Sequence, residues 1–193
     1  MRAGFAEPVL QSQRTFRSVL DAVAHPGRVV DIDDRIEPPR PLHAAAAAIA
    51  LTLVDFETPL WLDGSVAADA RDWLRFHTGA VIVDRPAAAA FALVADPARL
   101  PVLHSFARGS DERPEHSATL IIQVDGLRSH EGYRLTGPGI AGEARLGVAG
   151  MPEAFWDALS ENHAQFPRGV DVLLTAGASL AALPRTTRVD REG

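Results

Sequence analysis

The chain of 193 residues has no cysteine and no lysine. Without cysteine it forms no disulfide and offers no thiolate as a nucleophile or as a ligand for zinc or an iron–sulfur cluster. All 19 basic residues are arginine, so no side-chain amine can form a Schiff base or take the place of a P-loop lysine. Covalently bound pyridoxal phosphate is therefore excluded, and we expect no cofactor.

Long apolar runs are also missing. The longest, residues 44–56, is shorter than the stretch of about 18 residues that a membrane-spanning helix needs. The first residues, MRAGFAEPVLQSQR, contain no apolar segment of the kind found in signal peptides, so we expect a cytoplasmic protein. The net charge of −6 does not suit nucleic-acid binding, which needs a basic surface. We expect neither a membrane nor a nucleic acid as a partner.

Hydrophobic spacing predicts alternating helices and strands. Helices are predicted over residues 11–24, 41–53, 66–77, 100–107 and 152–166. Strands are predicted over residues 28–32, 59–63, 80–84, 89–96, 119–124, 132–137, 170–177 and 179–187. The side chains expected to face the core from the first and third helices are Phe16, Val19, Leu20, Val23, Trp73 and Phe76. This order predicts a single α/β domain over residues 1–193, with one mixed sheet between helical layers.

Gly137, Gly139 and Gly142 have the G-x-G-x-x-G spacing of a dinucleotide-binding turn. Such a turn must follow a strand and open a helix, because the helix N-terminus holds the pyrophosphate. Here a predicted strand precedes the glycines, but the sequence EARLGVAGMPE that follows has no helical period before Pro152. We therefore interpret the motif as a tight turn in which glycine adopts dihedral angles that other residues avoid.

The segment LPRTTRV, residues 183–189, is the most suggestive polar cluster. Two arginine forks and two hydroxyl groups beyond a strand could bind a phosphate or a carboxylate, and a glycine turn could add main-chain donors. The candidate ligand-binding set, an anion nest, consists of Gly137, Gly139, Arg185, Thr186, Thr187 and Arg188. The favoured alternative is that both arginines make ion pairs, within the protein or across a subunit interface.

Other polar residues give weaker signals. The seven histidines include no pair at metal-ligand spacing, so we expect no metal site. His77 and His163 are predicted near helix C-termini, where the helix dipole stabilises an imidazolium. Asp55 follows a predicted helix and is expected to be half-buried, either paired with an arginine or capping a backbone group. Catalysis at Asp55 is the less favoured alternative, and no catalytic residue is predicted.

Several short segments, in order along residues 11–189, carry a resemblance to a known family. They are SQRTFRSVLDAVAHPG, LTLVDFETPLWL, LRFHTGA, ATLIIQV, YRLTGPGI, FPRGVDVLL and LAALPRTTRV. The chain is similar to the PhnH family, a subunit of the bacterial carbon–phosphorus lyase system that degrades phosphonates when phosphate is scarce. The family has no established catalytic motif for this subunit, so the resemblance assigns no catalytic residue.

The resemblance implies a complex with sister subunits G, I and J, alongside an ATP-binding-cassette-like subunit K. In that system an alkylphosphonate displaces adenine from ATP to give ribose 1-phosphonate 5-triphosphate, and subunit J later cleaves the carbon–phosphorus bond. The implied fold is a three-layer α/β/α sandwich with a mixed sheet, similar to the large domain of pyridoxal-phosphate-dependent transferases but without the cofactor. We expect an accessory subunit that forms a homodimer. The alternative is a stand-alone protein that binds a phosphonate or a nucleotide in the anion nest.

Overall fold

The computed structural model describes residues 2–32 and 36–190. Within these ranges the α-helices are α1 (Pro8–Ala24), α2 (Ala44–Leu53), α3 (Ala68–Thr78) and α4 (Glu153–His163). The strands are β1 (Val30–Asp31), β2 (Leu60–Leu62), β3 (Ile82–Val83), β4 (Phe91–Val94), β5 (Thr119–Gln123), β6 (Gly126–Thr136), β7 (Ala144–Ala149), β8 (Asp171–Ala176), β9 (Ser179–Leu183) and β10 (Arg188–Asp190).

The larger sheet has seven strands in the order β1-β9-β8-β5-β4-β2-β3. Strands β3, β2, β4, β5 and β8 pair in parallel, whereas β9 is antiparallel to both β8 and β1. The strand predicted over residues 119–124 is confirmed as β5, which stands in the middle of the order and whose Leu120, Ile121 and Ile122 are fully buried. An apolar run without alternation is typical of a parallel strand covered on both faces. The protein is therefore mixed α/β.

Each face of this sheet has its own hydrophobic core. Leu93, Ile121 and Leu173 point to the face covered by α1, α2 and α3. Their neighbours Leu120 and Ile122 point to the opposite face, where α4 and a second sheet cover them. Alternate residues of a strand face opposite sides, so one sheet supplies both cores. The alanine run of α2 has no exposed surface at residues 45–50, which lets this helix lie between the sheet and its neighbouring helices.

A second, three-stranded antiparallel sheet has the order β10-β6-β7. The expectation of one sheet between helical layers was therefore wrong, because part of the layer beside α4 is β-structure. The sequence EARLGVAG was not predicted as a strand, yet it contains β7. Leu146 of β7 is fully buried, but Gly147 follows it and weakens the alternating apolar pattern that signals a strand.

Two predicted helix faces are also wrong in part. In α1 the buried residues are Gln11, Thr15, Val19 and Ala22. Phe16, Leu20 and Val23, expected to face the core, are 45%, 50% and 41% exposed. In α3, Trp73 is buried as predicted, whereas Phe76 is 69% exposed. The inner face of α1 contacts α2 and β9, so small and polar side chains allow a close approach and the larger apolar ones point outward.

The remaining predicted elements differ from the observed ones in length or type. The predicted helix over residues 100–107 is only a short 3-10 turn, Leu103–Ser105, beyond Pro101. The helix predicted over residues 152–166 is α4, which ends at His163, so Phe166 lies beyond it and is 59% exposed. Gly79 ends α3 in a left-handed conformation, and the strands predicted over residues 170–177 and 179–187 form the antiparallel pair of β8 and β9.

Candidate functional site

The structure separates the predicted anion nest into different environments. Gly137 lies against the segment before β10, because a Cβ atom at Gly137 would stand 2.8 Å from the carbonyl oxygen of Thr186. This approach follows from strand pairing, in which Arg188 of β10 stands opposite Thr136 of β6. Gly137 and residues 186–188 therefore come together as the nest requires.

Arg185 is the centre of an internal hydrogen-bond network. Its guanidinium group forms a two-oxygen ion pair with Asp171, in which Nε donates to Oδ1 at 3.1 Å and Nη2 donates to Oδ2. Nη2 also donates to the Ser117 hydroxyl, and Nη1 donates to the carbonyl oxygens of Pro114 and Pro167 at 2.7 and 3.4 Å. The group has five N–H donors, and each has a protein acceptor. An anion could reach Arg185 only by replacing these partners.

Arg188 and Thr187 lie in different surroundings from Arg185. The Arg188 side chain is 65% exposed, and its Nε donates to Asp190 at 3.1 Å. Thr187 is buried, and its hydroxyl has no hydrogen-bond partner within the described ranges. Both arginines thus make ion pairs within the protein, as the alternative interpretation had it. A ligand-binding role for the six residues of the nest stays a prediction.

Gly139 lies against the end of α1. A Cβ atom there would overlap the carbonyl oxygen of Ala24, at the end of α1, and would lie 3.1 Å from Cδ of Pro26. The glycine-rich loop itself joins β6 to β7, and the next α-helix begins only at Glu153. The interpretation of this motif as a tight turn rather than a dinucleotide-binding turn is confirmed.

A cleft of about 450 Å³ opens where this loop meets the end of α1. We call it the α1–hairpin cleft, and its polar lining residues are His25, Arg28, Ser129, His130, Glu143 and Arg145. Gly139 and Ala141 form part of the same wall. Residues 25–28 and the β6–β7 hairpin, which are distant in sequence, thus supply two guanidinium groups, two imidazoles and one carboxylate to one space.

A bulge in β6 brings His130 to this cleft. Both Ser129 and Tyr133 stand opposite Leu146 of β7, so residues 130–132 are extra to the ladder. His130 adopts a φ of 69°, in the left-handed region that costs most side chains about 1 kcal/mol or more. Before the bulge, the hydroxyl of Ser129 accepts a hydrogen bond of 3.3 Å from the Val29 N–H. The bulge is thereby tied to the chain that follows α1.

Ion pairs within the protein meet several of the charges that line the cleft. Nη1 of Arg28 lies 3.2 Å from Oδ1 of Asp21, and His25 Nδ1 is 3.0 Å from the same oxygen. Glu143 accepts a 2.8 Å hydrogen bond from Arg134, so its charge is balanced outside the cleft. Arg145 stands directly opposite Arg134 in the β6–β7 ladder. Residues directly opposite in a ladder lie on the same face of the sheet, so these two arginines share one face of the hairpin.

Sequence reasoning missed two buried polar residues, Asp63 and Gln123, at the carboxyl edge of the parallel strands. In α/β proteins this edge is the usual place for a ligand. Here Asp63 is fully buried and accepts hydrogen bonds from Ala95 N–H (3.1 Å) and the Ser65 hydroxyl (2.6 Å). Gln123 accepts from the His43 N–H at 2.6 Å and donates to the Pro41 carbonyl at 3.1 Å. Their position just after apolar strands was the available signal, and their bonds hold the edge together.

The isolated polar residues have structural partners. Asp55 is exposed rather than half-buried, and its Oδ1 accepts from the N–H groups of Glu57 and Thr58 at 2.9 and 3.1 Å. The capping alternative for Asp55 is therefore confirmed. His77 Nε2 lies 3.2 Å from the Arg2 carbonyl oxygen, and His163 Nδ1 lies 3.1 Å from that of Arg185.

The described residues contain neither a metal-binding cluster nor a membrane-spanning helix. No group of three or more histidine, aspartate or glutamate side chains in residues 2–32 and 36–190 is arranged to hold a metal ion. Over the same residues, no helix combines the length and the apolar character needed to cross a bilayer.

Comparison with known proteins extends over nearly the whole chain. A family model described as bacterial phosphonate metabolism protein (PhnH) matches residues 3–190. Rhizobium meliloti has a protein named alpha-D-ribose 1-methylphosphonate 5-triphosphate synthase subunit PhnH, which is 39% identical over 189 residues, 97% of this chain and 94% of the relative. The putative C-P lyase subunit protein HtxG of Stutzerimonas stutzeri is 38% identical over 184 residues, 95% of this chain and 88% of the relative. The similarity includes both sheets and every segment that lines the cleft.

Proposed function

The chain belongs to the PhnH family of bacterial phosphonate metabolism proteins, and we propose that it is a subunit of the complex that makes ribose 1-methylphosphonate 5-triphosphate from ATP and a methylphosphonate. The observation that carries the proposal is the match to the Rhizobium meliloti subunit over 97% of this chain and 94% of that relative. A match of that extent covers a whole subunit rather than a single shared motif. The proposed partners are the sister subunits G, I, J and K.

Within this assembly we propose an accessory role, in which the chain acts through contacts with its partners. Two observations support this role. The polar residues at the carboxyl edge of the sheet, Asp63 and Gln123, are engaged in internal hydrogen bonds. The outer face of α1 carries apolar side chains that a partner would cover, which is typical of an interaction surface.

That surface, the α1 apolar stripe, supports the proposal of a homodimer. It consists of Val9, Phe16, Leu20 and Val23, with exposed fractions of 82%, 45%, 50% and 41%. Val9 and Val23 each stand seven residues from Phe16, a heptad spacing that is symmetric about Phe16. Two antiparallel copies of α1 would therefore place Val9 of one copy opposite Val23 of the other. A two-fold interface requires this kind of self-complementary surface.

The finer architecture is also part of the proposal. We propose that residues 1–193 form one domain in the cytoplasm, and that the fold is related to the large domain of pyridoxal-phosphate-dependent transferases. The seven-stranded mixed sheet contributes residues to both hydrophobic cores, which supports both statements about architecture. Because the chain has no lysine, a protein with this related fold could not hold pyridoxal phosphate through a Schiff base.

A growth experiment tests the proposed function. A strain that lacks this gene is grown with methylphosphonate or with phosphate as the sole source of phosphorus, with and without a plasmid copy of the gene. We expect no growth on methylphosphonate, normal growth on phosphate, and restoration by the plasmid. Growth of the deletion strain on methylphosphonate at the parental rate would overturn the proposal.

A further inference from the structure

We propose that the α1–hairpin cleft binds a small molecule that carries phosphate groups, with Arg28 and Arg145 as its main ligands on the protein. The two guanidinium groups come from different elements, one after the end of α1 and one on β7, and both line the same space. The proposal goes beyond membership in the complex, because it assigns a binding site to the isolated chain.

Arg28 has donors that the protein does not use. Only its Nη1 reaches Asp21, at 3.2 and 3.3 Å from the two carboxylate oxygens. Nε and Nη2 of Arg28 donate to no residue within the described ranges. Arg185 is the contrasting case, because acceptors meet all five of its N–H groups. A guanidinium edge with two unused parallel donors matches two oxygens of a phosphate group.

Main-chain N–H groups and two imidazoles extend the site. The N–H groups of Gly139, Ala141 and Gly142 make no hydrogen bond with any other residue of the described parts of the chain, and Gly139 and Ala141 line the cleft. His25 and His130 line it as well, and each imidazole adds positive charge when it is protonated. Arginine forks together with loop N–H groups are the donor set that phosphate oxygens require.

The size of the cleft indicates more than a single inorganic phosphate. Its volume of about 450 Å³ falls within the range typical of small-molecule sites. The backbone geometry also supports a binding role for the cleft. The bulge that brings His130 into the wall holds this residue at a φ of 69°, which is unusual for a residue other than glycine. Strain of this kind persists where the surrounding structure imposes it, and it concentrates at binding sites.

Calorimetry on the full chain tests this proposal, with inorganic tripolyphosphate as the first probe and ATP and citrate as the second and third. We expect saturable binding of tripolyphosphate and ATP, and citrate binding at least about tenfold weaker. The substitution Arg28→Gln is expected to weaken tripolyphosphate binding about tenfold or more, because it removes charge-assisted hydrogen bonds. Arg28 is exposed, so circular dichroism should show an unchanged fold.

The matched control is Arg75→Gln on α3. Arg75 pairs with Asp72 at 3.0 Å and is exposed like Arg28, but it lies outside the cleft. We expect this variant to bind tripolyphosphate as the unmodified chain does. The proposal would be overturned if tripolyphosphate failed to bind at millimolar concentration, or if citrate bound as tightly as tripolyphosphate. It would also be overturned if the two variants lost tripolyphosphate affinity equally. Because these measurements use the isolated chain, such a failure leaves the growth test of the proposed function untouched.

Discussion

The carbonyl oxygen of Ala24, at the end of α1, occupies the space that a Cβ atom on Gly139 would need. The loop between β6 and β7 therefore rests directly on the C-terminal end of α1, and only glycine permits the approach. This contact positions both walls of the α1–hairpin cleft relative to each other. Close contacts with the main chain thus explain two of the three glycines in the spacing that resembles a dinucleotide fingerprint, Gly137 and Gly139.

The first prediction concerns this contact. Gly139 and Gly142 both have a φ of 81°, but a Cβ atom on Gly142 would meet no atom within 4 Å. Gly142→Ala should lower the free energy of unfolding by about 1 kcal/mol through backbone strain alone. Gly139→Ala should cost about 2 kcal/mol more, because it adds overlap with Ala24. Urea unfolding of both variants measures the difference, and equal losses would contradict the steric account.

The second prediction concerns the Arg185 network. The Arg185 side chain is 13% exposed, so its removal leaves Asp171 with a poorly compensated charge. We expect Arg185→Ala to lower the free energy of unfolding by about 3 kcal/mol. Arg188→Ala, which breaks an exposed ion pair, should cost less than about 0.5 kcal/mol. Similar losses in the two variants would show that Arg185 does not hold these segments together.

The third prediction concerns the α1 apolar stripe. Leu20→Glu places a charge in the centre of the proposed two-fold interface, where burial without a partner is costly. Sedimentation velocity over a range of concentrations should find the unmodified chain as a dimer and this variant as a monomer. Phe76→Glu on α3 is the control, since Phe76 is also exposed but lies outside the stripe, and it should remain dimeric. A dimer that persists in Leu20→Glu would place the interface elsewhere.

The elements with strong local signals could be predicted from the sequence. The apolar run of β5, the alanine-rich α2 and the glycine that ends α3 each depend mainly on residues within one segment. The inward face of α1 could not be predicted, because periodicity locates an apolar stripe but does not tell whether the core or a partner covers it. Here the larger apolar side chains point outward, and Gln11 and Thr15 lie inside.

The candidate site was less accessible to prediction. The nest residues Gly137 and Thr186 do meet, because β10 pairs with β6, but that pairing joins segments far apart in sequence. His25, His130 and Arg145 share a cleft only because of the β6 bulge and the contact of Gly139 with α1. Neither tertiary feature has a local sequence signal. An arginine cluster in a sequence likewise does not reveal which member is internally paired, as Arg185 is.

The central claim is that this chain acts as a subunit, through contacts with companion proteins. Native mass spectrometry tests it most directly, after coexpression of the chain with the sister subunits G, I and J and purification through a tag on one sister. We predict one assembly of high mass that contains this chain in fixed stoichiometry. The claim would be contradicted if the sisters assembled without it and the isolated chain converted ATP and methylphosphonate unaided.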